Sequence, residues 1–232
     1  ISAVVLGKFG FNSDMLSTVL EGVTTEASIK GFMQEVSSYA EKIFPQNEKE
    51  IDSTFKLLNI SPRNLKYIAL GIGPGSYTGI RVGVTIAKVF SYVFNLPIVQ
   101  LCSLDGFIPT TNGKFISLID AKSGGAYFRV GEKNGDVIHW ITEPKLSELD
   151  KIEWLRSIDT LVSPDSRLLK PKIEKNYGKE YIWKDDAPNI NYLTKLAEER
   201  FVENKTVSHD HIEILYLRET QAEIELKKAE GN

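Results

Sequence analysis

The chain has 232 residues, of which 42% are hydrophobic and 25% are charged, the balance of an ordinary folded protein. It excludes the disordered, collagen-like, coiled-coil and disulfide-scaffold classes, and a chain of this length can bury a hydrophobic core. Lys and Arg number 28 against 31 Asp and Glu, a net charge of −3, which disfavours a dedicated nucleic-acid-binding protein.

Cysteine content and apolar runs narrow the class further. Cys102 is the one cysteine, so neither an intrachain disulfide nor a cysteine metal pair can form, and we expect a reducing, cytoplasmic environment. Every apolar run is shorter than the about 20 residues that span a bilayer, so we expect no membrane helix. Residues 1–7 lack the basic start and the small-residue cleavage site of a signal peptide.

The first hundred residues carry clear local patterns. Two apolar runs around a polar turn predict a β-hairpin over residues 2–20. Apolar residues at three- and four-residue spacing predict helix over residues 29–58, divided at Pro45. A strand is predicted over residues 65–72, the clearest helix over 79–94, and another strand over 97–101.

The rest of the chain alternates strands with helices. The predicted strands lie over residues 115–120, 126–130, 137–141, 161–163 and 181–183, the first two forming a hairpin. The predicted helices lie over residues 146–158 and 190–203, and a charged, frayed tail over 219–232. This order predicts an α/β fold in two lobes, which we place at residues 1–101 and 102–232.

The most informative stretch is GPGSYTGIRVG at residues 73–83, which joins the end of a strand to the start of a helix. Such a loop directs backbone amides and a helix N-terminus at one point, where they attract anions. It is a candidate nucleotide or anion loop, with the candidate residues Gly73, Gly75, Ser76, Thr78 and Arg81. Ser76 or Thr78 is expected to cap the helix. The alternative is a tight turn whose glycines supply positive φ angles.

The loop does not match the usual phosphate or nucleophile motifs. No GK[ST] follows it, its glycines are not spaced as GxGxxG, and Pro74 stands two residues before Ser76, where a nucleophile elbow requires glycine. Arg81 opposes the helix dipole in the first turn, so a carboxylate or phosphate partner would explain it. A solvated arginine is the alternative.

Small residues recur every four positions along the same helix. This small-residue stripe consists of Gly79, Gly83, Ala87 and Ser91. A surface almost without side chains lets a second backbone approach closely. The neighbouring larger residues are predicted to face the core: Val82, Ile86, Val89, Phe90 and Val93. We interpret the stripe as a helix-to-helix interface between subunits, with a contact inside the chain as the alternative.

Three segments together resemble the TsaB (YeaZ) family. GPGSYTGIRVGVTIAK at residues 73–88 resembles the family signature GPGSFTGLRxGxxxAK. LIDAKSGGAYF at residues 118–128 is similar to the family's IDARxGEVYF strand-turn-strand. Tyr216-Leu217-Arg218 is similar to its final PxYLR segment. The resemblance covers most of the chain.

The resemblance implies an actin-like ATPase (ASKHA) fold built on two RNase H-like lobes. It implies a non-catalytic scaffold subunit that pairs with a catalytic TsaD-type paralogue and acts with a TsaE-type ATPase. Such a complex transfers threonylcarbamoyl to the adenosine beside the anticodon of ANN-decoding tRNAs, the t6A modification. The chain would form a homodimer when alone, contact tRNA through the complex, and use ATP only at the complex level, with no cofactor of its own. The small-residue stripe would lie at the dimer interface.

The family was once thought to be a glycoprotease, and the histidines of this chain test that activity. The catalytic paralogue holds its metal with two histidines one helical turn apart. This chain has only His139, His209 and His211, and the last two would share a face only on a strand. We therefore expect no metal site, no catalytic residue and no protease activity.

A rival hypothesis is a free-standing actin-like ATPase or kinase that uses the Gly73 loop and Asp120. Asp120 ends a predicted strand before a glycine turn, where related ATPases meet the metal-bound phosphate. Its alternative role is an Asx turn that caps the hairpin. Family members usually begin with a strand ending in Asp-Thr-Ser, whereas residues 1–7 resemble the strand after it. Either that first strand is missing here or the sequence has diverged from it, so the resemblance does not establish nucleotide binding by this chain alone.

Overall fold

The computed structural model describes residues 5–6, 55–57, 59, 61–122, 125–184 and 187–217. These residues form two β-sheets with helices packed against them. Most of the predicted hairpin over residues 2–20 lies outside the described residues. So do most of the helical region over 29–58, Arg218 and the tail over 219–232.

The first sheet has three parallel strands in the order β1-β2-β3. The strands are β1 (Val5–Leu6), β2 (Ile68–Gly71) and β3 (Ile98–Leu101). Helix α1 (Tyr77–Phe94) connects β2 to β3, as parallel neighbours require. The structure confirms the predicted strands at 65–72 and 97–101 and the helix at 79–94. The helix begins two residues earlier than predicted because Ser76 caps it.

The second sheet has six strands in the order β6-β5-β4-β8-β9, with β7 also paired to β5. The strands are β4 (Gly113–Asp120), β5 (Gly125–Asn134), β6 (Val137–Trp140), β7 (Lys145–Glu148), β8 (Thr160–Val162) and β9 (Ile182–Lys184). The hairpin β4-β5 is antiparallel, whereas β4, β8 and β9 are parallel. The predicted hairpin and the three short strands are therefore confirmed.

The helix predicted over residues 146–158 is wrong. Strand β7 is followed there by two short 3-10 turns, Leu149–Lys151 and Glu153–Arg156. Buried residues do recur at a helix-like spacing of three, at Leu149, Ile152, Leu155 and Ile158, but three is the period of a 3-10 turn. Pairing with β5, which local periodicity does not report, fixes β7 as a strand.

Helix α2 (Ser166–Tyr177) is absent from the predicted elements. Pro171 lies inside it, and a proline in that position argues against a helix because it removes an amide donor. Burial of Leu169 and Ile173 in the core of the second sheet stabilises the helix in spite of Pro171. Tertiary packing thus outweighs local propensity here.

The chain returns to the first sheet after β9. Helix α3 (Ile190–Val202) is capped by Asn189 and buries Leu193 and Ala197 against one face of that sheet. Val207 then exchanges two backbone hydrogen bonds with Ile98 on β3, of 2.9 and 2.8 Å. The division at residue 101 stays a prediction.

The described residues thus form the mixed α/β architecture that the sequence predicts. Within the described ranges, no helix is long and apolar enough to cross a membrane. Helix α1 covers the opposite face of the first sheet from α3, because its core residues Ile80, Val84 and Ala87 belong to a separate apolar cluster. The glycine-rich loop lies where β2 ends and α1 begins.

Candidate functional site

The glycine-rich loop requires glycine at Gly73 for two reasons. Its φ angle is +108°, in the region that side chains with a Cβ rarely adopt. A Cβ there would also lie 3.0 Å from the carbonyl oxygen of Leu215 and 3.0 Å from Cδ1 of Ile80. The peptide bond between Gly73 and Pro74 is cis. The loop therefore has both the positive-φ turn expected of it and a close approach to a distant part of the chain.

Of the two predicted caps of α1, the structure selects Ser76. Its Oγ accepts a hydrogen bond from the amide of Gly79 at 3.3 Å, and its carbonyl oxygen accepts one from the amide of Ile80 at 2.9 Å. Thr78 lies exposed in the first turn. Gly75 lies between these groups, and a Cβ on it would meet only Ile80, at 3.9 Å.

Residues 212–217 cover one side of the loop. The amide of Leu215 donates to the carbonyl oxygen of Ile72 at 2.9 Å, and Gln100 Nε2 donates to the carbonyl oxygen of Glu213 at 2.9 Å. On the other side, the amide of Ser103 donates to the carbonyl oxygen of Gly73 at 2.8 Å. The loop is therefore held between the C-terminal segment and the connection that leaves β3.

Three side chains contact one another where the loop ends and α1 begins, and we call them the Tyr-Arg-Tyr cluster. The guanidinium of Arg81 lies 4.1 Å from the ring centroid of Tyr77, and its Nε donates to the hydroxyl of Tyr216 at 3.0 Å. The two rings are 5.7 Å apart and tilted by 37°. The hydrogen bond to Tyr216 raises the pKa of Arg81. Arg81 thus has two aromatic partners within the chain, which neither sequence interpretation of it included.

The Tyr-Arg-Tyr cluster joins two of the segments that carry the family resemblance. Tyr77 and Tyr216 are 50% and 47% exposed, so the cluster presents aromatic surface to solvent beside a charged group. Sequence reasoning missed this pairing because the two tyrosines lie far apart along the chain. The available signal was that both signature segments contain a tyrosine within four positions of an arginine.

The small-residue stripe is buried inside the chain. Gly79, Gly83, Ala87 and Ser91 are all buried, and Ser91 Oγ donates to the carbonyl oxygen of Leu96 at 2.6 Å. Of the larger residues predicted to face the core, two are buried and three are half-buried: Val82 and Val89, then Ile86, Phe90 and Val93. The contact inside the chain is therefore present, and the interface between subunits stays a prediction.

Asp120 forms the Asx turn considered above. Its Oδ1 accepts from the amide of Lys122 at 3.1 Å, and its own amide donates to Oδ2 of Asp165 at 3.0 Å. Asp165 follows β8, the parallel neighbour of β4, and its amide donates to Oγ of Ser163 at 3.0 Å. Two carboxylates therefore lie at adjacent strand ends: Asp120 binds an amide of its own turn, and Asp165 binds the amide of Asp120.

The histidines do not form a metal centre in the described part of the chain. His209 and His211 belong to a single 3-10 turn. His211 Nδ1 lies 2.9 Å from Oγ of Ser208, and His209 packs edge-on against Tyr92 with the rings 5.2 Å apart. Among the described residues, no group of three His, Cys, Asp or Glu side chains is placed to hold a metal ion.

Asp105 is a buried charge that sequence reasoning did not single out. It lies in the 3-10 turn Ser103–Gly106, between the two sheets, and its side chain is fully buried. It forms ion pairs with Arg129 of β5 and Arg200 of α3. Burial raises the pKa of Asp105, and the two arginines oppose that rise.

Comparison with known proteins supplies the family. The model of the family TsaD, tRNA N6-adenosine threonylcarbamoyltransferase, matches residues 40–223. TsaB, the tRNA threonylcarbamoyladenosine biosynthesis protein, of Haemophilus influenzae is 26% identical over 209 residues, 84% of each chain. The protein of that name from Bacillus subtilis is 30% identical over 142 residues, 56% of this chain. That match spans 61% of the Bacillus subtilis protein.

Solved structures show the same fold. A Pseudomonas aeruginosa protein described as similar to peptidase YEAZ superposes with a TM-score of 0.62 at 14% identity, over 72% of this chain and 81% of its own. YeaZ from the same organism gives a TM-score of 0.58 at 12% identity, over 69% and 78%. The expected actin-like (ASKHA) fold is confirmed. Because the family model matches most of its length, the chain belongs to the TsaD family of tRNA N6-adenosine threonylcarbamoyltransferases, among the TsaB (YeaZ) relatives that its signature segments resemble.

Proposed function

We propose that the chain is a non-catalytic subunit of the machinery that places threonylcarbamoyl on the adenosine beside the anticodon of ANN-decoding tRNAs. The observation that carries this proposal is the signature at residues 73–88, set in a family whose named relatives are tRNA threonylcarbamoyladenosine biosynthesis proteins. The rival, a free-standing ATPase or kinase, is not favoured by those relatives.

Support for a non-catalytic role comes from the way the loop and Asp120 are used. The carbonyl oxygens of Ile72 and Gly73 accept hydrogen bonds from other parts of the chain. Arg81 engages two tyrosines, and Asp120 binds the amide of Lys122. Arg81 and Asp120, the two side chains that an ATPase of this fold would direct at phosphate and its metal, therefore contact other groups of this chain.

The proposed partner is a TsaD-type paralogue that performs the transfer. A TsaE-type ATPase and tRNA then act through the complex, and ATP enters at that level. The net charge of −3 supports an indirect role for tRNA, because a basic RNA-binding surface would come from a partner. In the absence of the TsaD-type paralogue, we propose that the chain forms a homodimer.

The proposed interface runs along α1 beside the small-residue stripe. Gly79 and Gly83 keep the helix narrow, so a partner helix that packs beside them approaches closely. Ile86 lies next to Gly83 on the helix surface and is half-buried. An apolar residue at that margin, in a helix without acidic residues, suits burial by a second subunit.

Light scattering tests the proposal. The purified chain is measured alone and mixed with the catalytic paralogue from the same cell, with and without ATP, and a stoichiometric complex is expected. Ile86→Arg should weaken association at least tenfold. The matched control is Val137→Arg, because Val137 is exposed on β6 of the other sheet.

Circular dichroism separates loss of association from loss of fold in both variants. Failure to form any complex with the full-length partner would overturn the scaffold function. A complex that Ile86→Arg leaves intact, with the variant folded, would retain the function and reject the proposed interface.

A further inference from the structure

We propose that Asp105 is a buried latch that fixes the two sheets of this chain in one relative position. Asp105 lies in the connection between β3, the last strand of the first sheet, and β4, the first strand of the second. A movement of one sheet relative to the other would bend the chain at this connection. The side chain of Asp105 is fully buried, so any such movement takes place around a carboxylate that bulk water does not reach.

On the side of the second sheet, the carboxylate holds Arg129. Arg129 Nη1 pairs with Asp105 Oδ1, and Arg129 Nε donates to the carbonyl oxygen of Thr142 at 3.0 Å. Its guanidinium lies 4.5 Å from the ring centroid of Trp140. Arg129 is thereby fixed to β5 and to the segment that follows β6, so its geometry is that of the second sheet.

On the side of the first sheet, the same carboxylate forms a longer ion pair with Arg200, without a hydrogen bond to Oδ2. Arg200 Nη2 lies 3.6 Å from Asp105 Oδ2, and Arg200 Nη1 donates to the carbonyl oxygen of Gln100 on β3 at 2.5 Å. Arg200 belongs to α3, which packs on the first sheet. One oxygen of Asp105 thus faces each sheet.

The rest of the connection follows the same pattern. The amide of Asn189, at the start of α3, donates to the carbonyl oxygen of Gly106 at 2.7 Å. Ser117 Oγ on β4 donates to the carbonyl oxygen of Phe107 at 2.5 Å. The two residues that follow Asp105 are therefore bonded one to each side, Gly106 to the start of α3 and Phe107 to β4.

Electrostatic interactions make the contact between Asp105 and its two arginines resist movement of one sheet relative to the other. Moving one sheet away would leave the buried carboxylate with one arginine instead of two, and the loss of a charge partner at a buried site is unfavourable. An exposed ion pair would not resist in this way, because water replaces the lost partner. The described parts of the two sheets accordingly move as one rigid body, and a partner that contacts both sheets meets them in one fixed arrangement.

Distances between spin labels test the latch. One label is placed at Lys66→Cys, an exposed position beside the first sheet, and the other at Val137→Cys, an exposed position on the second sheet. Both substitutions are made in a Cys102→Ser background. Asp105→Asn removes the charge with little change in shape, and Glu203→Gln is the control because its ion pair with Lys205 is exposed. We expect one narrow distance distribution for the parent and the control, and a clearly broadened one for Asp105→Asn.

Thermal unfolding accompanies the distance measurement. Loss of a buried charge partner in a chain of this size should lower the midpoint by roughly 10 °C. If Asp105→Asn does not fold, Arg200→Met replaces it, since that change releases only the first-sheet side. A lower midpoint with an unchanged narrow distribution, in whichever variant folds, would show that Asp105 only stabilises the fold and would overturn the proposal.

Discussion

Replacement of Gly73 by alanine tests how closely the glycine-rich loop packs against the C-terminal segment and against Ile80. Gly73 has a φ angle of +108°, and a Cβ added there would lie 3.0 Å from the Leu215 carbonyl oxygen. Gly113 has nearly the same φ angle, +114°, and nothing lies within 4 Å of a Cβ there. The two alanine variants therefore share the backbone strain, and only Gly73→Ala adds the steric contact.

The expected magnitudes follow from these two contributions. A side chain in a sparsely populated backbone region costs about 1–3 kcal/mol, and both variants should lose this amount. Overpacking against atoms that cannot easily move adds about 1–3 kcal/mol. Leu215 cannot easily move because its amide is bonded to Ile72, so Gly73→Ala should lose about 2–6 kcal/mol in all.

Urea unfolding, followed by circular dichroism, gives the free energy of unfolding of the parent and both variants. We expect Gly73→Ala to lose at least about 1 kcal/mol more than Gly113→Ala. Equal losses would refute the reasoning, since they would show that residues 212–217 do not press on the loop.

Two further predictions concern single side chains. Tyr216→Phe removes the hydrogen bond from Arg81 but keeps the ring contact with Tyr77, so urea unfolding should show a loss below about 1 kcal/mol, and Tyr216→Ala a larger one. Burial, reinforced by the charge of Asp105, raises the pKa of Cys102 to about 12. At pH 8 a much smaller fraction of Cys102 than of an ordinary thiol is therefore ionised, and Cys102 should react with a disulfide reagent about a thousandfold more slowly than an ordinary thiol. Because the folded chain holds this proton more tightly, its stability should fall as the pH rises from about 9 to 12. Cys102→Ala should reduce that fall without removing it, because burial also raises the pKa of Tyr181 to about 12.

Local sequence determined the elements around the glycine-rich loop. Apolar spacing and flanking signals placed β2, α1 and β3, although the sequence left Ser76 and Thr78 as alternative caps and started α1 two residues too late. The β4-β5 hairpin followed in the same way from two apolar runs around a glycine turn. These features depend on residues a few positions apart, so a sequence pattern reports them directly.

Tertiary structure decided the elements whose partners lie far along the chain. Strand β7 exists because it pairs with β5, although its sequence continues into a helix-like spacing. Helix α2 exists in spite of Pro171 because its apolar residues complete a core. In both cases the free energy comes from contacts that no local window contains.

The sequence by itself determined the family, the fold class and the position of the glycine-rich loop, because these are written in contiguous signature segments. Only the tertiary structure decided how those segments are used. It brought Tyr216 to Arg81, which lies 135 positions away, and it buried Asp105 between arginines from two different sheets. Such contacts form only once the chain is folded, because the packing of distant elements sets which side chains share a dry environment.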